Sequence, residues 1–146
     1  MKNLFLFILL YINHTSLFSQ SKPNNFTDSN GLKQKTWITY YKNGRIKIIA
    51  NYKNDSLNGK YKSFFSNGKI EFESKFIMGV KDGLSLYYNK DGSISSKIIN
   101  KLGSRVVFIE YWKGKVSYKE VYKNDTLIER WFDGLKQDIP IYHQNQ

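Results

Sequence analysis

Glycines at positions 44, 68, 92, 114 and 134 are spaced by 24, 24, 22 and 20 residues. This near-period constrains the fold more than any other feature of the chain, because self-similarity at a period of about 20–50 residues marks one supersecondary unit repeated in series. The clearest copy surrounds Gly68. Asn67-Gly68 stands between two alternating segments, the strongest short-range sign of a hairpin, and a two-residue turn there requires positive φ at both central residues. After the turn, Ile70, Phe72, Ser74 and Phe76 alternate with Lys69, Glu71, Glu73 and Lys75. Period-two alternation of this kind is a strand with one dry face and one wet face.

Aligning the glycines brings further columns into register. Two residues after the first four stand Ile46, Ile70, Ile94 and Val116, and eight after them Tyr52, Phe76, Asn100 and Tyr122. An aromatic pair precedes each turn: Tyr40-Tyr41, Phe64-Phe65, Tyr87-Tyr88, Tyr111-Trp112 and Trp131-Phe132. A second turn column falls eleven residues after the glycine at Asp55, Gly79, Gly103 and Asp125, and Gly31, Gly59 and Gly83 open the early units. Each unit therefore reads strand, tight turn, strand, second turn. A lone hairpin is marginal in water, so successive hairpins must pair to bury a shared face. The expected fold class is all-β, an extended and twisted antiparallel meander of about four to five hairpins in a single sheet. The later copies drift: Val107 and Glu129 replace the opening glycine, and Glu120 enters a column held by Ala50, Ser74 and Ile98.

The columns from Thr36 to Asp55 and from Tyr61 to Gly79 resemble the MORN-variant repeat, as in the YwqK-type antitoxin-like family. The resemblance runs from about Gly31 to Gly134. It implies a single-sheet repeat fold. It also implies a non-catalytic role in holding a protein partner, as a scaffold or an antitoxin- or immunity-like module. Classical MORN repeats are connected with membrane lipids and with scaffolding. No signature functional residue comes with the resemblance.

Composition excludes several functions. There is no Cys, and the only His residues are His14 and His143, near the two ends. The repeat region therefore lacks the residues for a Ser-His-Asp triad, a Cys nucleophile or a conventional zinc site, and no cofactor is expected. The net charge of +11 comes from scattered lysines rather than a clustered, Arg-rich face, so a nucleic-acid partner is not expected. Met1 to Asn3 with one Lys, then the apolar run of residues 4–12, reads as a secretory signal peptide with cleavage after Ser19. The run is too short to span a bilayer. The expected organisation is a signal peptide over 1–19, a flexible lead-in over 20–30, the repeat domain over 31–136 and a tail over 137–146. The mature protein is expected to be exported to the periplasm, cell envelope or medium, without a transmembrane span.

The alternation assigns Trp37, Tyr41, Ile46, Ile48, Tyr61, Phe65, Ile70, Phe72, Phe76, Leu84, Leu86, Tyr88, Ile94, Ile98, Phe108, Trp112, Val116, Tyr118, Tyr122 and Phe132 to the dry face. The opposite face carries Lys47, Glu71, Glu73, Lys75, Lys97, Lys115 and Lys119. It also carries an aromatic row of Tyr40, Phe64, Tyr87, Tyr111 and Trp131, which a purely solvated face does not explain. Tyr and Trp dominate contact energy at interfaces, so this row is the candidate partner-binding strip. Cross-strand aromatic packing within the sheet is the structural alternative. The second functional expectation is binding of anionic lipid or cell-envelope polymer through the Lys/Tyr-rich face. The third, acid/base chemistry by Glu71 and Glu73, is disfavoured by Lys69 and Lys75 beside them, the pattern of an exposed ion-paired strand.

Overall fold

In the computed structural model, residues 25–138 are described. The signal peptide expected over 1–19 and the tail from residue 139 lie outside the described residues. Twelve strands follow in chain order: β1 (Phe26–Thr27), β2 (Lys33–Tyr40), β3 (Ile46–Lys53), β4 (Ser56–Phe64), β5 (Ile70–Ile77), β6 (Val80–Lys81), β7 (Gly83–Tyr88), β8 (Ile94–Lys101), β9 (Ser104–Trp112), β10 (Lys115–Lys123), β11 (Thr126–Phe132) and β12 (Leu135–Gln137). They form one open sheet in sequence order, every pair antiparallel, with the short β6 paired back onto β5. Among the described residues there is no helix. Strand content starts earlier than the expected lead-in allows: Phe26 and Thr27 pair with Gln34 and Lys33. It also runs later, since Gln137 pairs with Arg130.

Two kinds of turn build the meander. At Gly44, Gly68 and Gly92 the loop has three residues. Tyr41, Phe65 and Asn89 donate to Arg45, Lys69 and Ser93, and each glycine donates back to the same residue. Only the glycine takes positive φ, at 79°, 88° and 97°. This is a type I turn closed by a left-handed glycine, and it places a bulge one residue earlier in the ladder. The two-residue turn expected from Asn67-Gly68 is thus corrected. The Asn side chains instead brace the loop. Asn43 and Asn67 accept the backbone N–H of Arg45 and Lys69 at 3.1 and 3.0 Å, and Asp91 accepts that of Ser93 at 2.8 Å. An Asx side chain bonding two residues onward fixes the turn. Two-residue turns with both residues at positive φ occur at Asn54-Asp55, Met78-Gly79, Leu102-Gly103, Lys113-Gly114, Asn124-Asp125 and Asp133-Gly134.

The unit-opening column also needs correction. Gly31 belongs to a separate turn, donating to Asp28. The residue that shares the 24-residue column of Gly59 and Gly83 is Lys35, which holds φ at 62° without being glycine. Just before it runs a capping column that the composition of the turns does not announce. The side chains of Gln34, Asn58 and Asp82 accept from the backbone N–H groups of Asn54, Met78 and Leu102 at 3.2 Å in each case.

Cross-strand pairing defines the two faces. One row links Trp37, Ala50, Tyr61 and Ser74, crosses to Ser85 through a 2.7 Å hydroxyl contact, and continues through Ile98, Phe108, Glu120 and Arg130. This core face holds Ala50 and Phe76, the buried apolar side chains among the described residues. The single layer stays thin because small residues are roofed by large ones. Tyr61 packs on Phe72 and Phe76 at 5.7 and 5.8 Å between ring centroids, and Phe72 on Tyr87 at 4.5 Å. Aromatic pairs at these separations add to simple area burial.

Candidate binding face

The opposite, open face is fixed by the complementary row. Ile38 pairs with Ile49, Ile49 with Lys62, Lys62 with Glu73, and Glu73 with Leu86. Leu86 pairs with Lys97, Lys97 with Ile109, Ile109 with Lys119, and Lys119 with Trp131. Two residues further along their strands, Tyr40, Phe64, Tyr88 and Tyr111 share this face with Ile38, Lys62, Leu86 and Ile109, since alternate residues of a strand share a side.

Four of the five expected strip residues, Tyr40, Phe64, Tyr111 and Trp131, therefore lie on one face. Tyr87 does not. It pairs with Phe72 and stacks on it on the core face, and Lys81 reaches its hydroxyl at 3.1 Å. Tyr88 takes the place in the strip. The cause is the loop geometry: Asn89 makes the turn contact that Tyr41 and Phe65 make, so the constant 24-residue step joins Tyr40, Phe64 and Tyr88. The same shift moves Leu84, Leu86 and Tyr88 off the expected dry face. Trp112, Val116 and Phe132, also expected to be dry, are exposed at 70%, 44% and 56%.

The strip is embedded in charge. Tyr88 donates to Glu73 at 2.6 Å, and Lys62 pairs with the same carboxylate at 2.9 Å. The hydrogen bond from Tyr88, and then that from Lys62, hold the Glu73 carboxyl below its ordinary range. In return, the bond to Glu73, aided by desolvation, pushes the Tyr88 phenol up to about 12. Lys97 stands over the Tyr111 ring at 5.2 Å and Lys119 over Trp131 at 5.8 Å, within cation–π range. Glu71 accepts from Ser63 at 3.1 Å. Both members of the proposed carboxylate pair are thus engaged by neighbours in the sheet, and the acid/base reading has no free carboxylate pair to stand on.

The core face of the second half holds a network that the strand pattern flags only through one odd residue, Glu120. Its carboxylate accepts from Tyr118 and, at 2.6 Å, from Tyr122. Arg130 contributes Nε at 3.3 Å and an ion pair at 3.1 Å. Burial pushes the carboxyl up, but the hydrogen bonds from Tyr118, Tyr122 and Arg130 and the Arg130 charge outweigh it, so the net shift is downward. Farther along, Ser74, Ser85 and Asn100 form a buried chain, with Asn100 reaching Ser85 at 3.1 Å. Among the described residues no buried side-chain polar atom lacks a partner, and no cluster of His, Cys, Asp and Glu has the makings of a metal site.

The family described as MORN repeat variant matches residues 33–54 and 57–77. Residues 33–77 carry the MORN repeat variant. The matched segments are the hairpins β2–β3 and β4–β5. Beyond residue 77 the same strand–turn–strand unit continues through β11 with drifting columns. No curated protein matches the chain.

Proposed function

We propose that this MORN-variant repeat chain is an exported, non-catalytic interaction module that holds a protein partner on its open face. The observation that carries the reading is the row of Tyr40, Phe64, Tyr88, Tyr111 and Trp131 on a face that no other described element of the chain covers. Tyr40 is 46% exposed, and aromatic side chains on a surface of mixed charged and aliphatic residues are the usual anchors of an interface. An antitoxin- or immunity-like role is one form of this activity, and scaffolding another.

The test is recovery of one protein partner by the full chain at both low and high salt. Replacing Tyr88 and Tyr111 together by Ala is expected to abolish recovery; retained recovery sinks the aromatic strip. A second reading, binding of anionic lipid or envelope polymer, draws support from Lys97 and Lys119 poised over Tyr111 and Trp131. It predicts affinity that collapses as salt rises and is absent with neutral vesicles.

A further inference from the structure

From β7 onward the open face changes character. Leu84 pairs with Ile99, Ile99 with Val107, and Val107 with Val121. These four aliphatics form a strip running across β7, β8, β9 and β10, with Leu84 at 51% and Ile99 at 42% exposure. In the first half of the sheet the same face is mixed, with Lys60, Lys62, Glu73 and Lys75 beside Ile38 and Ile49. The core face compensates in the opposite sense, taking Ser85, Asn100, Glu120 and Arg130, whose polar groups satisfy one another. The polar groups on the core face of the second half thus satisfy one another, and the aliphatic strip on the opposite face is bare.

The strip has cationic rails. Lys97 and Lys119 lie two residues to one side of Ile99 and Val121 on their strands, and Lys101 and Lys123 two residues to the other. The ion pairs among the described residues are Lys62–Glu73, Arg130–Glu120 and Lys136–Glu129, and none of the four rails takes part. We propose that this strip is the seat of an acidic amphipathic helix from a protein partner, one with an aliphatic stripe and carboxylates along both flanks. The geometry favours a helix. Successive strands are about 4.8 Å apart and successive helical turns about 5.4 Å, so a helix laid across the strands meets the strip about once per turn. A helix layered on a sheet is the ordinary cover for an apolar sheet face. A second copy of this chain fits poorly, because it would set four lysines against four. The proposal rests on the open face being the working surface and names what sits there.

The probe is a synthetic Leu/Glu helix with a Leu stripe and Glu on both flanks, titrated calorimetrically into the full chain at physiological salt, beside its Leu/Lys twin. The Leu/Glu helix is expected to bind and the twin not. Leu84→Ser with Ile99→Ser is expected to weaken binding at least about tenfold, as is Lys101→Glu with Lys123→Glu. Lys101 and Lys123 are exposed, so that pair is expected to leave melting curves unchanged, whereas the half-buried Leu84 and Ile99 pair is expected to lower the midpoint modestly with the protein still folded at the titration temperature. Lys42→Glu with Lys90→Glu, at the other edge, is expected to leave affinity within about twofold, since only local charge matters at this salt. Equal binding of the twin, or equal loss with the Lys42/Lys90 control, overturns the proposal as mere charge attraction. So does absence of peptide binding. If phosphatidylserine vesicles bind and Leu84→Ser with Ile99→Ser abolishes that alone, the strip is a membrane surface and the proposal falls. Failure here with a protein partner still lost on Tyr88→Ala and Tyr111→Ala would leave the aromatic reading standing. Survival of partner binding in every open-face variant would remove that reading instead.

Discussion

At the scale of single residues, the structure turns on two carboxylates whose surroundings differ. Glu120 is buried and held by Tyr118, Tyr122 and Arg130. Its folded pKa lies below the ordinary value of 4.5. A depressed carboxyl contributes stability that is present above the unfolded pKa and lost as pH falls through the folded one. Acid melts are therefore expected to lose stability from about pH 4.5 downward. Glu120→Gln is expected to make that slope shallower, leaving the share that Glu73 contributes, and to cost about 1–3 kcal/mol at neutral pH by leaving the phenols and guanidinium poorly matched, as read by chemical denaturation. Tyr88 gives the alkaline counterpart. Its phenol, raised to about 12 by Glu73, contributes stability present below the unfolded value of about 10. That stability is lost as pH rises through about 12. Tyrosinate absorbance should show late-titrating phenols, those of Tyr61, Tyr88, Tyr118 and Tyr122, and Tyr88→Phe should remove one of them. Of these two centres, Glu120 was legible in sequence as the acidic member of a column of Ala50, Ser74 and Ile98 with tyrosines two residues to each side. Its Arg130 partner depends on the register of β10 against β11, which no local pattern reveals.

At the scale of elements, the second turns of the middle repeats carry a conformational cost that their sister repeats avoid. Met78 and Leu102 hold φ at 48° in two-residue turns, where Asn54 and Asn124 stand at 51° and 50°. Asn tolerates the left-handed region, whereas a bulky side chain there is strained. Both are also exposed, at 59% and 71%, so burial does not offset the strain. Met78→Asn and Leu102→Asn are each expected to stabilise the protein by about 0.5–1 kcal/mol, measured as a shift in denaturant midpoint without a change in slope. The turn columns were readable because glycine, Asn and Asp mark positive φ. The faces of the third hairpin were not, because lining up Gly92 with the aromatic pair before it hides the rigid 24-residue step. That step sets Asn89 in the place of Tyr41 and Phe65 and carries Tyr87 to the core face. One residue of frame inverts every side chain of a strand, so the aliphatic strip of Leu84 and its neighbours was hidden by the same displacement.

At the scale of the whole molecule, the described residues form a one-dimensional array in which strands pair in chain order, except that β5 pairs with β7 past the short β6, which pairs with β5 alone. Stability in such arrays is close to a sum of unit and interface contributions rather than a property of one shared core. The contributions are uneven here. Among the described residues the buried apolar side chains, Ala50 and Phe76, sit in β3 and β5, and the aromatic cluster of Tyr61, Phe72, Phe76 and Tyr87 roofs that region. The last strands lack such cover: Phe132 and Leu135 are exposed at 56% and 70%, and β12 pairs over three residues alone. Between the halves the β5–β7 ladder has two registered pairs, Phe72 with Tyr87 and Glu73 with Leu86. Fraying should therefore proceed from the β12 end and stop at that junction. Native-state hydrogen exchange is expected to show the slowest amides in β3, β4 and β5 and the fastest in β11 and β12, with a step in opening free energy between β5 and β7. Uniform protection from β2 to β11 would mean a single cooperative unit and would contradict the additive picture. A helix seated on the aliphatic strip would reverse the gradient, because the strip lies across β7 to β10 and its cover would protect the half that is otherwise weaker. Adding the Leu/Glu helix should slow exchange in β8 to β10 while leaving β3 and β4 unchanged, and the same substitutions at Leu84 and Ile99 should erase that protection.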